Sequence, residues 1–183
     1  GIACSGDDDD EYDVTVNVTN STIVNNSSSN SFGDGITCWF NANLNLMNSI
    51  ISQGDGTSIY LGVENNSDYP GTASISYSDI IGGESQIVTN SNSIVEWLEG
   101  NIDSDPLFCN TDSIDFTLYD ISPCIGTGLD GENMGAFGIG CYYLGPVWHV
   151  STLGSDNNDG SEENPFATIQ HGIDIAFNGD TLL

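Results

Sequence analysis

The chain has 183 residues, enough for one ordinary domain or one and a half small ones, and its 38% hydrophobic fraction with 22 glycines puts a packed core within reach. Its 27 acidic residues face no Lys or Arg, a formal charge of −27; nucleic acid is thereby excluded as a partner, because affinity for a phosphate backbone comes from protein cations displacing counterions, and anionic membranes are disfavoured for the same reason. Chemistry that uses Lys or Arg as Schiff base, proton acceptor or phosphate clamp is excluded as well, which leaves carboxylates, a bound metal, and His149 and His171 as the groups titrating near neutrality.

No apolar run reaches the roughly 18 residues that span a bilayer, so no membrane insertion is expected. The five cysteines are odd in number and contain no CxxC pair, which weakens zinc and thioredoxin-type readings. Acidity, abundant Asn, Ser, Thr and Gly, and available disulfides favour a secreted or cell-surface protein. No initiator Met or signal peptide precedes Gly1, and the first residues read as the middle of a folded unit, so a fragment of a longer protein is expected.

Along the chain, Gly1-Ile2-Ala3-Cys4 reads as a strand and echoes Gly35-Ile36-Thr37-Cys38. Asp7-Asp8-Asp9-Asp10-Glu11 reads as a loop insertion. Clustered carboxylates attract hard cations, which makes these five residues candidate Ca²⁺ ligands, but the run lacks the spaced carbonyls of a defined site and competes with a plain solvated loop.

Three segments then align: Val16-Asn17-Val18-Thr19-Asn20-Ser21-Thr22-Ile23-Val24, Leu44-Asn45-Leu46-Met47-Asn48-Ser49-Ile50-Ile51-Ser52, and Ala73-Ser74-Ile75-Ser76-Tyr77-Ser78-Asp79-Ile80-Ile81. Ser49 follows Ser21 by 28 residues, and Ser78 follows Ser49 by 29. Period-2 alternation inside a repeat this short predicts parallel strands stacked as a solenoid, with equivalent positions in ladders. Ser21, Ser49 and Ser78 form the expected polar ladder, and Ile23, Ile50 or Ile51, and Ile80 the apolar one. An antiparallel sandwich competes, but hairpin dipeptides are sparse between the segments.

Setting Asp34-Gly35 on Asp55-Gly56 places Cys38 with Ile59 and Trp39 with Tyr60. With Cys38 and Ile59 inward, Trp39 and Tyr60 stack outside as a platform for sugar rings; the competing reading is that they stack for stability or lie under a loop. Asn17, Asn20, Asn25, Asn26 and Asn65 open N-x-Ser/Thr sequons and read first as polar ladder residues. Cys4 and Cys38 read as small apolar groups stacked in neighbouring repeats, while one bridge is expected among Cys109, Cys124 and Cys141, its partners undetermined. Asp79, Asp103 and Asp105 are carboxylates available for glycoside hydrolysis, none singled out by spacing.

The later segments Tyr77-Ser78-Asp79-Ile80-Ile81-Gly82-Gly83, Gly100-Asn101-Ile102-Asp103-Ser104-Asp105-Pro106-Leu107-Phe108-Cys109, Ser122-Pro123-Cys124-Ile125-Gly126 and Met134-Gly135-Ala136-Phe137-Gly138 carry a family likeness. The stretch from about residue 14 to 141 resembles the final coils of right-handed parallel β-helix proteins of the pectate-lyase-like superfamily, found in large secreted bacterial surface proteins. Val147-Trp148-His149-Val150-Ser151 through Asn164-Pro165-Phe166-Ala167-Thr168-Ile169-Gln170 resembles the opening of such a module. The resemblance implies an all-β, right-handed parallel β-helix solenoid with a short capping α-helix near the C-terminus. It assigns the final coils to residues 1–141, a linker to 142–146, and the first strand, acidic turn and cap helix of a second module to 147–183.

Pro165 suits a first helical turn, and Phe166, Ile169, Ile173 and Ala176 fall on one helical face. His171 is then expected on the exposed side, and His149 beside the first strand. A fold-back of 147–183 over the coil at residue 1 is a sharper expectation of the same reading. Asp156-Asn157-Asn158-Asp159-Gly160 starts like a calcium loop but has Phe166 where the closing Glu belongs, so Asp156 and Asp159 are weak Ca²⁺ candidates in what reads first as a tight turn.

In the resembling enzymes a lyase uses Arg or Lys as its base, beside acidic calcium ligands, and this chain has neither basic residue. The functional expectation is therefore a non-catalytic extracellular module, structural or adhesive, that binds polysaccharide or cell-surface glycan and meets another β-helix module end to end. The alternatives are a polysaccharide lyase or glycoside hydrolase whose active coils lie outside this segment, and a calcium-stabilised adhesin.

Overall fold

A computed structural model of the chain describes residues 1–6, 14–28, 33–54, 56–63, 70–90, 92–143, 145–176 and 180–183. It divides into two compact units, Gly1–Cys141 and Tyr142–Leu183. The first is mainly β, and the second combines two short strands with one short α-helix.

Alternating residues in the first unit make eleven strands: β1 (Ile2–Ser5), β2 (Thr15–Thr19), β3 (Thr22–Val24), β4 (Ile36–Trp39), β5 (Asn43–Met47), β6 (Ile50–Ser52), β7 (Ile59–Leu61), β8 (Thr72–Ser76), β9 (Asp79–Ile80), β10 (Ile87–Thr89) and β11 (Ile94–Trp97). They sort by threes into sheets β1-β4-β7-β10, β2-β5-β8-β11 and β3-β6-β9, every pairing parallel. Stacked parallel sheets of this kind are compatible with a β-helix solenoid. Val16, Leu44, Ala73 and Val95 pair in one row, so the first three aligned segments are hydrogen-bonded neighbours. β11 adds a fourth layer that the sequence template did not include.

Inward side chains from all three sheets form one core, with Ile36, Cys38, Ile59 and Leu61 from the first, Leu44, Leu46, Ala73 and Ile75 from the second, and Ile23, Ile51 and Ile80 from the third. Ile51, rather than Ile50, occupies the expected isoleucine row. Removal of each such aliphatic side chain from water contributes roughly 1.5–3 kcal/mol, which is what the alternation secures.

The corner between the second and third sheets repeats as well. Asn20, Asn48, Tyr77 and Gly100 all turn into the left-handed region, with φ of 46°, 49°, 47° and 77°. Asn and Gly tolerate that region best, and Gly100 is further constrained because a Cβ there would lie 2.4 Å from the Tyr77 ring. The next residue in each layer closes the ladder. The Ser21 N–H donates to Ser49 Oγ at 3.1 Å, the Ser49 N–H to Ser78 Oγ at 3.2 Å, and the Ser78 N–H to Asn101 Oδ1 at 3.0 Å.

Beyond Ile102, which bridges to Asp79, the chain leaves the stack. β12 (Phe108–Asn110), β13 (Asp115–Tyr119) and β14 (Ile139–Cys141) form a separate sheet, antiparallel between β12 and β13 and parallel between β13 and β14. The region expected to supply final coils thus includes a strap along the outer face of the third sheet. Outward-facing Ile50 explains this: it is buried in a second cluster with Leu118, Cys124 and Met134. The strap crosses the layers in reverse order, Cys124 against Asp79, the Leu129 N–H on Asn48 Oδ1 at 2.7 Å, and the Ala136 N–H on Thr22 Oγ1 at 2.9 Å. Gly135 permits the approach, since a Cβ there would meet Ile50 Cδ1 at 2.7 Å.

Cys4 and Cys38, expected only to stack, stand in register on β1 and β4 and are joined as a disulfide. Adjacent parallel strands bring their Cα atoms to 4.6 Å, within the range a bridge spans. Cys109 and Cys141 form the second bridge, joining β12 to β14, and Cys124 is left free and buried.

In the second unit β15 (Val147–Trp148) pairs in parallel with β16 (Thr181–Leu182), and α1 spans Ile169–Ile175. Thr168 caps the helix, its Oγ1 accepting from the His171 N–H at 3.2 Å. The expected apolar helix face is not formed. Phe166 precedes the helix and bridges to Val150 as a strand residue, which shifts the helical phase, so Ile169 and Ile173 are 63% and 56% exposed while Gly172 turns inward. His171, expected on the exposed side, lies edge-on against Phe166 at 4.7 Å, and Phe166 stacks on Trp148 at 5.7 Å.

Candidate functional site

The three sheets differ in what covers them. The strap covers the third. On the first, Thr37 Oγ1 donates to the Gly33 carbonyl at 3.1 Å, and the chain at Gly33 lies against Tyr60, so both side chains are buried. The second keeps its outer row at the surface: Thr15, Asn17 and Thr19 of β2, Asn45 of β5, and Ile94 and Glu96 of β11 are exposed, and Asn43, Thr72, Ser74 and Ser76 partly so.

Parallel register places like groups above one another on this face. Asn45 Nδ2 donates to Asn17 Oδ1 at 2.8 Å, Thr72 Oγ1 to Asn43 Oδ1, and Ser74 Oγ to Glu96 Oε2 at 2.6 Å. An amide has two donors and two acceptor lone pairs, so a ladder contact occupies only part of its capacity and the rest points outward. The result is an array of amides and hydroxyls with exposed Ile94 among them, whose charged member among the described residues is Glu96. Sequence alignment of the repeats does supply Asn17, Asn45 and Ser74 as one row; the layer containing Glu96 is missed because it lacks the Ser-x-Ile ending.

The expected Trp39 and Tyr60 platform is not formed. Ile36 pairs with Ile59, Thr37 with Tyr60, and Trp39 with Ser5, two residues away from the alignment on Asp-Gly. Thr57 and Ser58 occupy the extra two positions, accepting from the Asp34 and Ile36 N–H groups, and Tyr60 is 5% exposed.

Of the three carboxylates noted for hydrolysis, Asp79 is fully buried on β9. Its Oδ2 accepts from Cys124 Sγ and its Oδ1 from the Ser104 N–H, both at 3.1 Å. Burial pushes its pKa up to about 6, against the lowering effect of those two bonds, and the negative charges of Asp103 and Asp105 add to the rise. Asp103 and Asp105 line a neighbouring cleft of about 400 Å³ with Ser52, Ile81, Ser104 and Pro106, a lining that does not include Asp79. Asp103 Oδ1 accepts from the Gly82 N–H at 2.8 Å, and Asp105 Oδ1 from the Leu107 N–H at 3.0 Å. These carboxylates therefore secure turns, and the one with an acid-like pKa is sealed from any sugar.

No family model, curated protein or solved structure matches this chain.

Among the expected cation ligands, Asp7, Asp8, Asp9, Asp10 and Glu11 lie outside the described residues. Asp156 is a structural acceptor, its Oδ1 taking the Ala167 and Thr168 N–H groups and its Oδ2 the Thr168 hydroxyl, all at 2.9 Å. Burial opposes its ionisation, but these bonds and the charge of His171 hold its carboxyl below the usual range. Asp159 accepts from the Ser161 N–H at 3.0 Å in a local turn. Among the described residues no three His, Cys, Asp or Glu side chains are grouped to hold a metal ion. The second unit has an open cleft of about 610 Å³, apolar along Val150, Ala167, Ile169, Leu182 and Leu183. Among the described residues no helix is long and apolar enough to cross a membrane.

Proposed function

We propose that this chain is a non-catalytic structural and adhesive module of a secreted surface protein, a right-handed parallel β-helix that binds a neutral polysaccharide along the outer face of β2, β5, β8 and β11. The observation carrying this reading is the uncovered array of Asn17, Asn45, Ser74 and their neighbours, with like groups repeated at the strand spacing. Sorting of the strands by threes supports the solenoid, and the near-universal hand of parallel crossovers supports its right-handedness. Two disulfides support an oxidising compartment. The charge of −27 with no cation favours a neutral glycan over an acidic one. The burial of Asp79 argues against its serving as a hydrolytic acid within this segment. End-to-end contact with another such module belongs to the same proposal.

Affinity electrophoresis through gels containing cellulose derivatives, xylan or mannan tests it. Retardation by at least one neutral glycan is expected, weakened about tenfold, or about 1.4 kcal/mol, in the double variant Asn17→Ala/Asn45→Ala at unchanged melting temperature. Migration unaffected by every neutral glycan, or retardation indifferent to the double variant, would remove this face from the proposal.

A further inference from the structure

Asp79 stands at an interface. It faces outward from β9, in the row that holds Ile50 and Thr22, and bridges to Ile102 in the fourth layer. Both of its hydrogen-bond donors, Ser104 and Cys124, belong to the chain that has left the stack. Around them lie the apolar side chains of Ile50, Leu118 and Met134. The titratable groups facing this carboxyl are Asp103 and Asp105 on the segment leading into the strap and Cys124 on the strap itself. None can balance its charge, and the chain has no Lys or Arg to do so. A buried carboxylate without a counter-charge is among the most costly groups a fold can hold, and water is the remaining means of relief.

From this arrangement we infer that residues 104–136 form a pH-gated latch, seated on the third sheet while Asp79 is uncharged and loosened when it ionises. Relief comes from the strap because the sheet side of the contact is fixed: the Asp79 N–H donates to the Ser49 carbonyl at 2.9 Å and the Ile80 N–H to the Ile102 carbonyl at 3.1 Å. Away from Asp79 the strap, by contrast, is held by two bonds to Asn48, from the Leu129 N–H to Oδ1 and the Gly135 N–H to the carbonyl, by one to Thr22, and by the small apolar cluster. The Cys109–Cys141 bridge ties its two flanks together, so it loosens as one closed loop and keeps its attachment.

The direction follows from linkage. An acid whose pKa is raised in the fold from 3.8 to about 6 keeps its proton there, so its contribution is complete on the acid side and is lost as pH rises through about 6. Cys124 reports the state of the latch. Burial pushes its thiol well up, so it is inert while seated, and the other four cysteines are paired.

The test is alkylation of the intact, oxidised chain with iodoacetamide between about pH 5 and about pH 8, each rate divided by that of free cysteine at the same pH. The normalised rate is expected to rise about tenfold with a midpoint near 6, and to stay flat in Asp79→Asn. A flat profile in the natural chain, or the same rise in Asp79→Asn, would overturn the latch. Amide exchange on the natural chain gives a second reading that does not depend on the variant's folding. The Leu129, Gly135 and Ala136 N–H groups are expected to lose protection above about pH 6 while the Ile50 and Ile81 N–H groups keep theirs. Simultaneous loss in both sets would mark general charge repulsion and overturn the latch equally.

Discussion

Replacing Ile51 by alanine is expected to lower the unfolding free energy of the Gly1–Cys141 unit by about 3 kcal/mol, measured by urea denaturation with linear extrapolation. Ile51 is fully buried between Ile23 and Ile80 in one row of the third sheet. Loss of its outer carbons forfeits roughly 0.8 kcal/mol for each buried methylene equivalent, and the cavity left behind adds to that. How far a cavity collapses decides the size of the effect. Here the walls are strands whose backbone groups bond to the layers on either side, the Ile81 N–H to the Ile51 carbonyl at 3.1 Å and the Ile50 N–H to the Ser21 carbonyl at 2.8 Å. A strand so held cannot move inward without breaking its ladder, which places the loss in the upper part of the range for such truncations. Ile23→Ala, with its residue in the first layer and less completely buried, is expected to cost visibly less. A loss below about 1 kcal/mol for Ile51→Ala would mean that the row is not close-packed.

The same row shows why part of this fold was legible in sequence. Parallel layers repeat one environment at one strand position, so Ser21, Ser49 and Ser78 answer the same demand and look alike at constant spacing. Loops between layers answer no such demand. The fourth layer arrives early, Glu96 lying 22 residues after its partner Ser74, and meets the corner with Gly100 and Asn101 in place of Asn or Tyr followed by Ser. The misplaced pairing of Trp39 with Tyr60 has a related cause. A slip of two residues leaves every side chain on its original face, so hydrophobic alternation cannot detect it, and only the loop length decides.

The strap was not legible because its contacts are with residues far away in the chain, Leu129 with Asn48 and Ala136 with Thr22. One signal was present in Ile50-Ile51, two consecutive large apolar residues in a strand, which reads as burial on both faces and therefore as something covering the outer one. Asp79 shares that covered face, which is why its position in the chain gave no hint of its burial. In the second unit, helical periodicity correctly marked a helix but not its phase. Phe166 fits the apolar stripe by count, yet its backbone pairs with Val150 and its ring is held by Trp148 and His171, so the helix begins three residues later.

The hydroxyl ladder makes the sharpest separation between stacked layers and any other arrangement of the same strands. Ser49→Ala is expected to cost about 2 kcal/mol, while Ser21→Ala costs less than about 1 kcal/mol. Ser49 is fully buried, and its Oγ has two tasks, accepting the Ser21 N–H at 3.1 Å and donating to the Met47 carbonyl at 2.9 Å. Removal of the hydroxyl leaves the Ser21 N–H without its acceptor, at about 1–3 kcal/mol, and takes one of two donors from the Met47 carbonyl, which keeps the Asn20 N–H at 3.2 Å. Ser21 begins the row. Its Oγ donates to the Thr19 carbonyl at 2.9 Å in an exposed position, where water takes over when the hydroxyl is lost. Ser78→Ala should resemble Ser49→Ala, because the Ser49 N–H that it serves is buried. The ordering by layer is the decisive readout, since three serines in chemically alike turns of an unstacked protein would be equivalent. Equal losses for Ser21→Ala and Ser49→Ala in the same urea series would contradict the stack, and the polar face built on it would lose its regular spacing.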